Sequence, residues 1–235
     1  IIANYLKNIP TAFDLFISTR ENATEQAKEA FADLENARQI NVSNFENKGR
    51  DVAPFFVGFG DQLNQYDIVL KLHSKKSPHS NALSGWFFHC LDNLIGSETT
   101  TLTNLYELLK NDVAMVYPAI NFALALGMAH DTCWGHSDNN FIKAKPILDS
   151  WKLSQINRSS HFNFPTGSMF WSKTEIFKPI LDCKLSLDNF DTESGQIDGT
   201  FAHSLERLIG LSCTELFNKK LLTSYCGFDL SNRYT

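Results

Sequence analysis

The stretch that most constrains this chain lies near its beginning. An apolar run, Phe13 to Ser18 (FDLFIS), is followed by a helical segment and then by a second short run, Ile40 to Ser43. Pro10 and the polar residues after Ser18 bound the first run as they would a strand. Between the runs, Asn22 with Glu25 three residues on reads as a capping box. Behind it Ala27, Ala30, Phe31, Leu34 and Ala37 fall on one helical face. Strand, helix, strand at this spacing starts an α/β unit with parallel strands and a right-handed crossover.

The remainder continues the alternation. A polar loop, Asn44 to Asp51, leads to an apolar helix candidate from Val52 to about Phe59. Asp67 to Leu72 (DIVLKL) is the clearest strand, and it runs into His73-Ser74-Lys75-Lys76-Ser77-Pro78-His79, where the proline stops it. Helices are expected around 81–94 and 101–109, and a strand over Val113–Tyr117. Periodicity fades from Asn121 to Asn140, which reads as a long connection or lid. Short helices are expected over 141–148, 150–155 and 175–181. Phe164 to Trp171 reads as a turn entering a strand, and a helix is expected from about Thr200 to Ile209. The tail from Leu221 is expected to pack its aromatic residues onto the body.

A chain of 235 residues can bury a core without help. Its formal net charge of −5 disfavours a bulk nucleic-acid partner, which needs a large positive field. Five cysteines are scattered without a CxxC or other zinc spacing, so reduced, buried thiols are expected. No apolar run approaches the roughly 20 residues that span a bilayer. The start, IIANYLK, has neither an initiator Met nor a signal-peptide pattern and reads as an excised part of a longer chain.

Three places could carry chemistry. Lys71, His73, Lys75, Lys76 and His79 gather at the carboxyl end of the strongest strand, where open α/β sheets bind ligands. Lysines there neutralise phosphate, although Lys75 and Lys76 also suit a solvated turn. In Asn47-Lys48-Gly49-Arg50-Asp51, Gly49 allows a tight backbone approach and Arg50 can fork onto phosphate. Asp51 either accepts bonds from a sugar or caps the helix after it. No P-loop and no GxGxxG is present. In Gln196-Ile197-Asp198-Gly199-Thr200, Asp198 is a helix cap or an exposed general base. His203 and Glu206 share a helical face beyond it, with Arg207 alongside. Asp188, Asp191 and Glu193 are spare carboxylates. His130, Asp131, Cys133, His136 and Asp138 are metal-capable but lack a known ligand spacing.

These segments resemble the rhamnan synthesis protein F family, glycosyltransferases of bacterial cell-surface polysaccharide assembly. The likeness is carried by Asn47–Pro54, Tyr66–Ser77, Gly167-Ser168-Met169-Phe170-Trp171, Asp198–Thr200 with His203–Arg207, and Phe228–Ser231, in order over nearly the whole chain. It implies a GT-A-like fold: a single Rossmann-like nucleotide-sugar-binding domain over residues 1–235, with a mostly parallel central sheet flanked by helices. Residues 1–120 would be the donor-binding half and 121–235 the acceptor-side and catalytic half. It implies transfer of rhamnose or a related hexose from a nucleoside-diphosphate donor, dTDP-rhamnose or similar, to a glycan or lipid-linked glycan. The work would be done on the cytoplasmic side, at or near the inner face of the membrane, with neighbouring domains in the parent chain.

The family likeness also assigns roles. Asn47, Gly49, Arg50 and Asp51 would meet the donor. Lys71, His73, Lys75 and Lys76 would neutralise the diphosphate in place of the metal that a DxD motif holds, so no metal and no cofactor are expected. Asp198 would deprotonate the acceptor in an inverting displacement, with Glu206 or His73 as the alternative base. Gly167, Ser168, Met169 and Trp171 would floor the acceptor side. Two other classes compete: a non-catalytic carbohydrate or nucleotide-binding module of a larger synthase, and a phosphate-releasing hydrolase using His73 and the lysines.

Overall fold

The computed structural model describes residues 1–74, 85–120, 133–135 and 138–225. The chain opens with α1 (Ile2–Leu6), β1 (Phe13–Thr19), α2 (Thr24–Phe31) and β2 (Ala37–Asn44). β1 and β2 are parallel, with Leu15 opposite Ile40 and Ile17 opposite Val42, as the opening pattern predicts. The capping box does not form. Asn22 lies inside a tight 3₁₀ turn, and Ala23, which has no capping side chain, precedes the helix.

After a wide helical turn over Pro54–Gly58 come α3 (Gly60–Leu63), β3 (Ile68–Lys71), α4 (Trp86–Ile95), α5 (Glu98–Leu109) and β4 (Val113–Pro118). Then follow α6 (Asp138–Ser150), β5 (Phe170–Lys173), α7 (Lys178–Leu181), α8 (Phe201–Leu211) and β6 (Lys220–Ser224). α6 is one helix where two short ones were expected, and it ends beside Lys152 in a left-handed conformation. β6 was not anticipated within the tail.

The α/β class holds, but the single, mostly parallel, Rossmann-like and GT-A-like sheet does not. Two sheets are present among the described residues: β1-β2, and a four-stranded sheet in the order β3-β5-β4-β6. β5 runs antiparallel to both β3 and β4, and only β4 and β6 are parallel. The reversal is made at Gly167 (φ 82°) and Ser168 (φ 48°), two consecutive left-handed residues that turn the chain into β5. The sequence could not reveal this direction. β4 and most of β5 are buried, so they read as apolar runs of either sense.

Apolar clusters cover both faces of the larger sheet. Phe170, Met115 and Tyr117 join Phe55, Ile147, Phe177, Leu205 and Leu208 on one side. Met169, Trp171 and Val116 join Leu6, Leu91, Leu94 and Leu108 on the other. The two sheets meet at the start of β3, where Tyr66 donates to Asp14 at 2.7 Å and Phe16 packs on Phe59 and Tyr66. Between β1 and β3 lies a cleft of about 1000 Å³.

Candidate functional site

The segments singled out in the sequence converge at the carboxyl end of β3. Lys71 is almost wholly buried, and an ammonium there must use its three donors. It gives them to the Asp51 carboxylate, to the Ser168 carbonyl at 2.9 Å and to the Ser168 hydroxyl at 3.2 Å. Ser168 also donates to Asp51. Burial alone would push the Asp51 carboxyl up, but Lys71, His73 and the Ser168 hydroxyl outweigh it and hold it well below the usual carboxylate range. Lys71 therefore fixes Asp51, and its donors are already committed rather than offered to a diphosphate.

The adjoining Gly167 ties in two more side chains. Its carbonyl accepts from His73 Nε2 at 2.9 Å, so that nitrogen carries the proton. Its amide donates to Glu206 Oε1 at 2.7 Å. Glu206 Oε2 takes Arg207 at 3.2 Å. Burial pushes the Glu206 carboxyl up against the pull of Arg207, and the negative charge of Asp51 pushes it the same way. Two carboxylates in one cluster thus have acidities driven apart, an arrangement frequent at sites that move protons.

Gly49 (φ 68°) and Arg50 (φ 58°) form a left-handed pair. A Cβ on Gly49 would run into Ala53 and the Phe190 ring, so packing as well as backbone demands glycine. The Arg50 amide donates to Glu193 at 3.1 Å and its guanidinium to the Gln196 carbonyl, while its Nε is enclosed with no acceptor among the described residues. Asn47, Arg50, Asp51, Lys71 and His73 all line the cleft between the sheets.

Asp198 stands on the far side of Arg207, 3.7 Å from its guanidinium. It is not the cap of α8. Thr200 is, in a capping box with His203, and Asp191 accepts from the Phe201 amide at 2.7 Å. Asp198 Oδ1 accepts from Asn140 Nδ2 at 2.7 Å, and Oδ2 is enclosed without a donor among the described residues. Met169 and Trp171 are core residues. The Trp171 indole donates to the Leu94 carbonyl at 3.0 Å and its ring packs in the apolar cluster around Leu91 and Leu94, so it offers little surface as an acceptor-side floor. Lys75, Lys76 and His79 lie outside the described residues, as do His130, Asp131, His136 and Phe228–Ser231. Among the described residues no group of three or more His, Cys, Asp or Glu is placed to hold a metal ion. No helix among them is long and apolar enough to cross a membrane.

Every segment that carried the family likeness and can be described lies in or beside this cluster. The chain matches the family described as Rhamnan synthesis protein F over residues 2–215. It belongs to that family. Membership links this rhamnan synthesis protein F chain to the synthesis of rhamnan and related polysaccharides. It is 31% identical over 182 residues to the uncharacterized protein WxcX of Xanthomonas campestris pv. campestris strain B100, covering 75% of this chain and 24% of that protein. The protein of the same name in strain ATCC 33913 is 31% identical over 179 residues, with the same coverage. The chain spans about a quarter of the length of these curated relatives. No solved structure matches.

Two site residues of this rhamnan synthesis protein F chain escaped the sequence reading. Asn140 is a fully buried amide on α6, and Asp191, set aside as a spare carboxylate, bridges Lys143 and the start of α8. The available signal was the polar pair Asn140 and Lys143, one turn apart in a helix with an apolar side.

Proposed function

We propose that this chain is a sugar-transfer domain, moving rhamnose or a related hexose from a nucleoside-diphosphate donor to a growing cell-surface polysaccharide. The observation that carries the reading is the convergence of four separated segments on one polar cluster beside a large cleft. Residues 1–120 contribute the donor side and residues 121–235 the acceptor and catalytic side. Arg50, with an enclosed donor nitrogen lacking an acceptor, suits an anionic group of the donor. Asp51 is held ionised and faces the cleft, where it can accept from a sugar or ribose hydroxyl. Lys75 and Lys76 keep their role at the diphosphate in this reading.

Asp198 acts as the base. The acceptor hydroxyl gives it a proton while the oxygen attacks the anomeric carbon, and the bond to the diphosphate breaks with both electrons leaving on the nucleotide. Asp198 fits better than His73, whose Nε2 proton is held by the Gly167 carbonyl and whose basic Nδ1 is buried. It also fits better than Glu206, whose two oxygens are both taken. A donor of this kind places the reaction on the cytoplasmic side, with a glycan or lipid-linked glycan as acceptor.

The test is nucleoside diphosphate release from a panel of nucleotide sugars, with and without EDTA, for wild type, Asp198→Asn and Lys75→Ala/Lys76→Ala. Selective release that survives EDTA and collapses in the variants supports transfer with side-chain cations. Binding of nucleotide without release from any donor points to a binding module. Inorganic phosphate in place of nucleoside diphosphate points to a hydrolase.

A further inference from the structure

A carboxylate that is to take a proton must be aimed without being saturated. One carrying two or three strong hydrogen bonds is a weak base, and one carrying none swings free. We propose that Asn140 is the positioning residue that meets this condition for Asp198. The inference rests on the reading of Asp198 as the base.

Asn140 has no exposed surface, and a buried amide requires partners. Its Nδ2 donates to Asp198 Oδ1 at 2.7 Å and to the Trp134 carbonyl at 2.8 Å. Both neighbours are acceptors, so the amide nitrogen and not the oxygen must face them. Among the described residues no other hydrogen bond reaches the Asp198 carboxylate. From α8, the Arg207 guanidinium is 3.7 Å away, which is attraction without a hydrogen bond, and His203 Nδ1, which accepts from the Thr200 amide, is 4.0 Å away. From the 133–135 turn, Gly135 covers Oδ2. It sits at φ 82°, and a Cβ there would collide with that oxygen. Among the described residues, one firm bond to Oδ1 and an Oδ2 without a donor therefore set the group.

Asn140 is itself held. Its carbonyl accepts from Ser204 at 2.9 Å, which ties α6 to α8. One turn on, Lys143 pairs with Asp191, whose other oxygen takes the Phe201 amide. The loop bearing Asp198 is thus strung between two helices braced on either side of it. Oδ2 is enclosed in this arrangement, while the side chain of Asp198 as a whole remains about a fifth exposed (21%).

Asn140→Asp tests the inference with almost no change of size, because it sets two carboxylates against each other and forces them to share a proton. In nucleoside diphosphate release, kcat should fall about 10-fold to 100-fold at neutral pH, with the donor KM within about twofold. The acid limb of the pH–rate profile should move up by about one unit or more. Asn140→Ala removes the donor without adding charge and should shift the limb in the same direction by less. It decides the matter if Asn140→Asp does not fold. Circular dichroism and melting establish folding. Folded variants whose profile stays in the wild-type position overturn the inference even if Asp198→Asn abolishes release, in which case the transfer reading survives alone. If Asp198→Asn releases as wild type does, Asp198 is not the base. The pH transition of the Asp198 carboxyl ¹³C resonance then decides whether Asn140 controls it, by moving upward in Asn140→Asp or staying put.

Discussion

Lys71 shows how a single residue inside a strand sets the character of a site. It lies between Leu70 and Leu72 and could not be buried as a cation without acceptors; Asp51 and Ser168 supply them. Replacing it by methionine fills the space but strands the Asp51 charge, so Lys71→Met should lose about 3–5 kcal/mol in urea unfolding at neutral pH. The same cluster should tilt stability in two directions with pH. Asp51 is held below its ordinary range, so its contribution is complete above about pH 4 and is lost as pH falls toward its lowered value. Glu206 is raised, so the folded chain holds its proton more tightly than the unfolded one. Its contribution is present at low pH and is lost as pH rises above about 4.5 and through the raised value. Urea midpoints between pH 4.5 and 8 should therefore decline less steeply in Glu206→Gln than in wild type. Equal slopes would show that Glu206 is not raised.

At the level of elements, the site depends on how α8 begins. Thr200 and His203 cap it, and Asp191 adds a second acceptor while pairing with Lys143 of α6. Partial burial pushes the Asp191 carboxyl up, but the bonds from Lys143 and the Phe201 amide prevail and lower it. Asp191→Ala should cost about 1 kcal/mol, as loss of a helix-terminal acceptor does. It should also loosen the Asp198 loop, which a drop in nucleoside diphosphate release larger than the stability loss would reveal. Gly49→Ala meets Ala53 and Phe190 at a positive φ and should destabilise by about 1–3 kcal/mol. A variant as stable as wild type would mean the loop does not hold this conformation.

Across the whole molecule, β1 and β2 are joined to the larger sheet through side chains at the start of β3 and through the cluster around Leu6. β4, by contrast, is buried at every residue and paired on both edges. Native-state hydrogen exchange should find β4 and β5 protected to near the global stability and β1–β2 opening at lower cost. Tyr66→Phe removes the bond to Asp14 and should widen that gap by about 1 kcal/mol. Uniform protection across both sheets would show that they unfold as one.

What the sequence settled by itself is local. The parallel β1–β2 pair, the strand over Asp67–Leu72, observed as Ile68–Lys71, and a helix starting near Thr200 follow from periodicity and turn residues, which act over a few positions. Asn47–Asp51, Lys71–His73 and Asp198–Arg207 stood out in the sequence by residue type, whereas Gly167–Ser168 entered only through the family resemblance. Only the tertiary structure decided which way β5 runs, because a strand buried on both faces carries the same apolar signal in either direction. It also decided what each charged side chain is for. A lysine bound to a buried carboxylate and one offered to solvent look alike in sequence. The geometry that spends Lys71 on Asp51, and brings the Asn140 amide to Asp198, is made by contacts between residues 20 and 58 positions apart.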